Sequence, residues 1–472
     1  MLAMVDNHYN QIATFSIGGA RRWWLPRPSS IAHVGDRTAV GHESRASTRR
    51  PTGRLRRTSR RPLPPNRRSI MARQPSSAAD EESRVELDVS DVDHRVGKPI
   101  GGGQLWDPCS SSDIRRWVMA MDYPNPLHWD EQFARDSAFG GLIAPQSIAV
   151  ALDYGHGAAP ACVGHIPNSH LIFGGEEWWF YGCPVRPGDQ LFQQRRFHDY
   201  KVVETKFAGP TMFSRGDTVH KNQHGVLVAR ERSTAIRYLY EEATKRGMFE
   251  SQLGEIKRWT QLELEEIDRV RRDWLESNRA GVSPHFDEVK VGDTLPRRVI
   301  GPHSIATFTT EYRAFVFNTW GSFYWVTPEG VDDPWVYQDP GFGKDFAFDE
   351  EDAFIDPRKR DGLYLGPSRG HIDADRASEV GMARAYGYGA TMGAWCTDYL
   401  AYWAGHNGMV HHSKADFRGP AFEGDVTYFE GEVIDKQSES AWGMPLVQVK
   451  VHLKNQNGEE LVKCTAEIEL PF

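Results

Sequence analysis

The chain has 472 residues, 39% of them hydrophobic and 25% charged, which suits two or three ordinary globular domains. No uncharged apolar run reaches the roughly 18 residues that a membrane span needs, and the nearest candidate, Phe139 to Leu152, contains Gly, Pro, Gln and Ser. Five cysteines (Cys109, Cys162, Cys183, Cys396 and Cys464), odd in number and without a CxxC pair, argue against a disulfide framework or structural zinc and point to a reducing, cytoplasmic setting.

Charge divides the chain. Residues 1–73 hold 15 Arg, no Lys and three acids, a net +12, which leaves -20 on the rest of a chain whose total is -8. An acidic body of this kind is not built to bind nucleic acid. The basic segment lacks apolar periodicity and reads as separate from the body. A transit segment, a basic tail, and a true start at Met71 all fit it.

The first predicted element is a helix that Ser111-Ser112-Asp113 can cap, with Ile114, Trp117, Val118 and Met121 at helical spacing. The stretch Asp122-Tyr123-Pro124-Asn125-Pro126-Leu127-His128-Trp129-Asp130 follows, and its Pro-Asn-Pro calls for a turn. A second helix is predicted from Pro145 through Ile148, Ala149 and Leu152, since proline suits a first helical turn. Trp178-Trp179-Phe180 reads either as the wall of an apolar channel or, at least as readily, as core strand packing.

An internal repeat organises the rest. Gly188-Asp189 begins a strand, and Asn222-Gln223-His224-Gly225 follows 33 residues after Asp189. Gly424-Asp425 and Asn455-Gln456-Asn457-Gly458 repeat the arrangement at a spacing of 30. A glycine two residues past the Gln suits a tight hairpin turn. Around the second tetrad Val447, Val449, Val451 and Leu453, then Val462, Cys464, Ala466, Ile468 and Leu470, alternate with polar residues, the period of half-buried strands. The flanks of the first, Thr218-Val219-His220 and Val226-Leu227-Val228, alternate more weakly.

Residues 326–367 have no counterpart in the first half. Trp335, Tyr337, Phe342, Phe346 and Phe348 there suggest a lid or substrate wall, and Asp349-Glu350-Glu351-Asp352 a solvated loop, because calcium-loop spacing is absent. His371-Ile372-Asp373, with Ala377, Gly381 and Tyr386-Gly387-Tyr388-Gly389 beyond it, echoes the earlier turn. Ser368-Arg369 stands there in place of Asn-Pro, with Gly366 two residues before. A longer helix is predicted from Ala390 to Trp403. His411-His412 lack a third ligand at metal spacing and read as a surface strand. Each half thus places helices before long antiparallel strands, an α+β pattern with a helix packed on one sheet.

Asn125-Pro126-Leu127-His128-Trp129-Asp130, then Ala134 and Phe139-Gly140-Gly141-Leu142-Ile143-Ala144-Pro145, together with the Gly-Asp and Asn-Gln-x-Gly features, resemble the MaoC-like hydratases and dehydratases. That family includes the (R)-specific enoyl-CoA hydratases and the fungal fatty-acid-synthase dehydratase region. The match looks closest to the N-terminal MaoC-like dehydratase type and extends over Val85 to Phe472. It implies two tandem hotdog domains, antiparallel sheets each wrapped on a central helix, at 85–245 and 255–472, forming a double hotdog. It also implies a 2-enoyl or 3-hydroxyacyl thioester substrate on CoA or a carrier protein, with no cofactor, no metal and no nucleic-acid or membrane partner. A homodimer is compatible with it.

Hydrating a double bond conjugated to a thioester needs a base for the water, a proton for Cα and stabilisation of the enolate oxygen. The resemblance gives His128 the acid/base role and Asn125 the orientation of the loop, with Asp122 and His128 sharing one water. Gly141, Gln146 and Ser147 would meet the substrate, backbone N–H groups near Pro145 taking the thioester oxygen. Two positions depart from the family pattern. Its Asp, two residues before the Asn, falls on Tyr123, and its His-Gly falls on Pro145-Gln146. A thioesterase on the same fold and an acyl-binding subunit without turnover are the alternatives.

Overall fold

The computed structural model describes residues 85–104, 108–151, 159–164, 166–249, 256–308, 369–371, 373–387 and 389–472. The basic segment 1–73, the aromatic and acidic insertion 326–367, and Leu152, Ser368, Ile372 and Tyr388 lie outside the described residues.

Alternation of apolar and polar residues builds the strands. In β9 (Leu446–Asn455) and β10 (Glu460–Glu469), the inward positions Val447, Val449, Val451, Leu453, Val462 and Ile468 are wholly buried. The other described strands are β1 (Pro99–Gln104), β2 (Ser169–Phe180), β3 (Leu191–Thr205), β4 (Gly209–Asn222), β5 (Leu227–Leu239), β6 (Arg298–Ile300), β7 (Met409–Phe417) and β8 (Thr427–Gln437). They form one antiparallel sheet in the order β1-β3-β4-β5-β2-β7-β10-β9-β8-β6. Outward from the centre, β2, β5, β4, β3 and β1 repeat the order β7, β10, β9, β8 and β6. The copies join where β2 pairs antiparallel with β7, Trp178 opposite Ser413. Each copy thereby covers a strand edge the other would leave open. This is the double hotdog, α+β architecture, with two five-stranded sheets edge to edge.

The hairpin features mark one construction made twice. Asn222 Oδ1 accepts from the N–H groups of His224 and Val226 (3.0 Å each), and Asn455 Oδ1 from those of Asn457 and Glu459 (3.0 Å each). Gly225 and Gly458 close these turns at φ of +74° and +80°, where a side chain would be strained. The Gln of each tetrad reaches to the start of a neighbouring strand. Gln223 bonds the Gln190 N–H (3.0 Å) and the Asp189 carboxylate (2.9 Å), while Gln456 bonds the Val426 N–H (3.0 Å) and the Asp425 carboxylate (2.7 Å).

The long helix spans Gly389–Ala404 and is buried almost along its entire length, as suits a helix that is apolar on every side. Small residues let it approach the sheet: a Cβ on Gly393 would stand 1.9 Å from the Glu176 carboxylate. Its first-half counterpart begins later than predicted. The described helix is Ile148–Ala151, and Pro145 to Ile148 is a turn closed by the Ile148 N–H on the Pro145 carbonyl (3.0 Å).

The two inner faces differ. In the first half, the inward positions of β4 and β5 include Ser214, Thr218, His220, Glu231 and Ser233, all fully buried. In the second half the equivalent positions are Val, Leu, Cys and Ala. Among the described residues no helix is long and apolar enough to cross a membrane.

Candidate functional site

The site begins at the helix Ser111–Ala120. Its cap is Ser110, one residue before the predicted cap, in a reciprocal pair with Asp113. Ile114, Trp117 and Val118 face inward, and the Trp117 indole N–H donates to Ser147 Oγ (2.9 Å). The helix stops because Asp122 turns left-handed, φ +51°, and the Tyr123 N–H returns to the Val118 carbonyl (3.0 Å). Asp is among the few residues other than Gly that take this conformation readily. The consequence is chemical: the Asp122 side chain faces solvent and Tyr123 is buried.

Asn125 then holds the turn from both sides. Its Oδ1 accepts from the Leu127 N–H (3.1 Å), capping a short 3-10 turn over Pro126–His128, and its Nδ2 donates to Tyr123 Oη (3.2 Å). Asp130 caps the next helix, Glu131–Asp136, by accepting from the Gln132 and Phe133 N–H groups (2.9 and 3.0 Å).

His128 is 4% exposed, and its Nδ1 lies 2.8 Å from the Ile143 carbonyl oxygen. A carbonyl only accepts, so Nδ1 carries the proton and the neutral ring keeps an unprotonated Nε2. Burial lowers the His128 pKa to about 4, the Ile143 bond opposing the shift. The Tyr123 ring lies 5.2 Å from that of His128, and burial pushes its phenol well above the ordinary range.

An apolar pocket opens at these residues. Tyr123, Asn125, His128, Phe139, Ile143 and Gln146 line it, with Phe180 and Val228 from strands of the first half and Ala401 and Met409 from the second. None of its described lining residues is Asp or Glu. Of the expected site residues, His128, Asn125 and Gln146 meet here, whereas Asp122, Gly141 and Ser147 do not line the pocket. Gln146 is also a brace, its side-chain amide pairing with the backbone of Val410 (2.8 and 3.3 Å). Of the aromatic triplet, Phe180 walls the pocket, Trp178 stacks behind it (5.7 Å), and Trp179 stacks on His412 (5.3 Å).

The second half reproduces the histidine. His371 closes a 3-10 turn, Arg369–His371, and its Nδ1 lies 2.8 Å from the Tyr386 carbonyl, the same separation of 15 residues as His128 and Ile143. There the Tyr386 ring packs 4.6 Å from the imidazole, where the first half has the smaller Ile143. His411 and His412 lie on β7, but His411 is buried rather than on the surface expected, and the two bond Glu469 (2.8 Å) and Glu177 (2.9 Å) separately. No group of His, Cys, Asp and Glu among the described residues could hold a metal ion.

Residues 95–231, which contain the whole turn, match the family model of the FAS1-like dehydratase domain region. No curated protein matches the chain. Among solved structures, the chain is similar to a MaoC-like dehydratase at 18% identity, covering 80% of this chain and 99% of that one, with a TM-score of 0.50. A putative MaoC domain protein dehydratase from Chloroflexus aurantiacus aligns at 11% identity over 84% of this chain and 100% of its own, with a TM-score of 0.47. A Mycobacterium tuberculosis protein described as a double hotdog aligns at 11% identity over 79% of this chain and 96% of its own, with a TM-score of 0.45. The first-half turn thus lies inside the segment that matches the dehydratase region, and the fold of the chain is that of a MaoC-like dehydratase of known structure.

Proposed function

We propose that the protein hydrates 2-enoyl thioesters, or dehydrates the corresponding 3-hydroxyacyl thioesters, on CoA or a carrier protein, with His128 as its acid/base residue. The observation that carries this reading is the His128–Ile143 bond: it fixes the tautomer that leaves Nε2 free to take a proton, in an apolar pocket suited to an acyl chain. In hydration, Nε2 takes a proton from water as the water oxygen bonds to Cβ. The π electrons move toward the thioester oxygen, and the proton then passes from Nε2 to Cα. The backbone N–H of Gln146, which lines the pocket, receives the oxygen as its charge grows. Tyr123, rather than Asp122, is the second group on the water, its neutral hydroxyl placed by Asn125.

Among the described residues of the pocket lining no carboxylate stands ready as the base that a thioesterase would aim at the carbonyl. The same feature favours the second reading, an acyl-binding subunit without turnover. Incubation with trans-2-butenoyl-CoA separates the three. Loss of the conjugated absorbance, abolished in His128→Ala, is the expected result; release of free thiol marks a thioesterase. Binding without turnover marks the silent subunit and overturns the proposal.

A further inference from the structure

The turn that carries the first-half site is held by residues of the second half. Arg298 opens β6 and is 2% exposed. Its Nη2 donates to the carbonyl oxygens of Met121 (3.2 Å) and Asp122 (3.3 Å), and its Nη1 to that of Trp395 on the long helix (3.3 Å). The guanidinium also lies over the Trp274 ring, 4.4 Å from its centroid. Asp398 is buried on the same helix; burial pushes its carboxyl up to about 7, with Ser147 and Arg298 pulling the other way.

A guanidinium is costly to bury, and an apolar side chain could fill the same space. What it alone provides is a flat fork able to grip several carbonyls at once. Two of the three it grips flank the left-handed residue that sends Tyr123 inward. We propose that Arg298 is a positioning residue: by tying Met121 and Asp122 to Trp395, it sets Tyr123 at its place beside His128. This rests on the hydratase reading of the pocket, and it makes a site encoded in the first half dependent on the second.

The test uses the full chain as wild type, Arg298→Met and Arg298→Lys. Arg298→Met should lower kcat on trans-2-butenoyl-CoA by about 10²-fold, the scale of a small misplacement of reacting groups. The Kd for butyryl-CoA, which cannot be hydrated, should stay within about threefold, and Arg298→Lys should restore part of kcat because it keeps one charged donor. A folded Arg298→Met protein with kcat near wild type overturns the proposal, as does a parallel loss of kcat and binding without rescue by Lys. Hydrogen exchange across residues 118–129 keeps the proposal separate from the hydratase reading. If wild type does not turn over substrate, that reading fails. The positioning role then stands if Arg298→Met speeds exchange in this segment and not in β9 and β10, and falls if exchange there is unchanged.

Discussion

Asp122 sits at φ +51°, so the side chain that enters the pocket belongs to the next residue. Asp122→Asn keeps a residue tolerant of that conformation and removes the charge. It should leave kcat within about threefold of wild type; a fall of the ~10² expected for a lost acid/base group would bring Asp122 back to the water. Tyr123→Phe keeps the ring and removes the hydroxyl that Asn125 orients, and should lower kcat by roughly tenfold or more. The His128 pKa also fixes a pH limb. Only the neutral ring can take a proton, so kcat should be flat from about pH 8 down to 5 and fall as pH passes through about 4. A limb near 6.5, the ordinary histidine value, would mean that the ring is not desolvated during turnover.

At the scale of elements, the paired hairpins give a comparison within one molecule. Gln456 is half-buried and satisfies the N–H of Val426, a residue with no exposure, whereas Gln223 is exposed. Gln456→Ala should therefore cost about 1–3 kcal/mol, the penalty of an unsatisfied buried donor, and Gln223→Ala less, because water can replace it. Urea unfolding of the two variants checks the order, and equal losses would show that solvent reaches both. The tetrads were legible because hairpins need Gly and Asn at fixed places. Their bonds to the Gly-Asp pairs were not, since a Gln side chain carries no sign of where it reaches. The weak alternation of Thr218-Val219-His220 also has a physical cause. The inward residues there are Thr218 and His220, so a rule that sends apolar side chains inward has little to detect.

At the scale of the molecule, the turn, its histidine and the doubled architecture could be read locally, because each depends on neighbours in sequence. The braces could not. Arg298 and Tyr402 reach the turn from well over 100 residues away, Tyr402 lying 6.2 Å from the Tyr123 ring, and Trp274 packs on both, 4.4 Å from the Arg298 guanidinium and 4.5 Å from the Tyr402 ring. The duplication also sets the contrast between the two histidines. His128 and His371 make the same bond to a carbonyl 15 residues on, and burial holds both near a pKa of about 4. Both are therefore neutral when folded and readily protonated when unfolded. Their contribution to stability is complete above the unfolded value near 6.5 and is lost as pH falls from there toward about 4. They differ in surroundings, because His128 lines an open pocket and His371 is packed against Tyr386. His371→Ala should thus leave kcat within about threefold while costing about 1–3 kcal/mol of stability, with less acid sensitivity between pH 6.5 and 4. His128→Ala should lose ~10²–10⁴ of kcat. Equal loss of kcat in the two variants, with both folded, would mean that the second half also turns over substrate and that the copies have not divided the work.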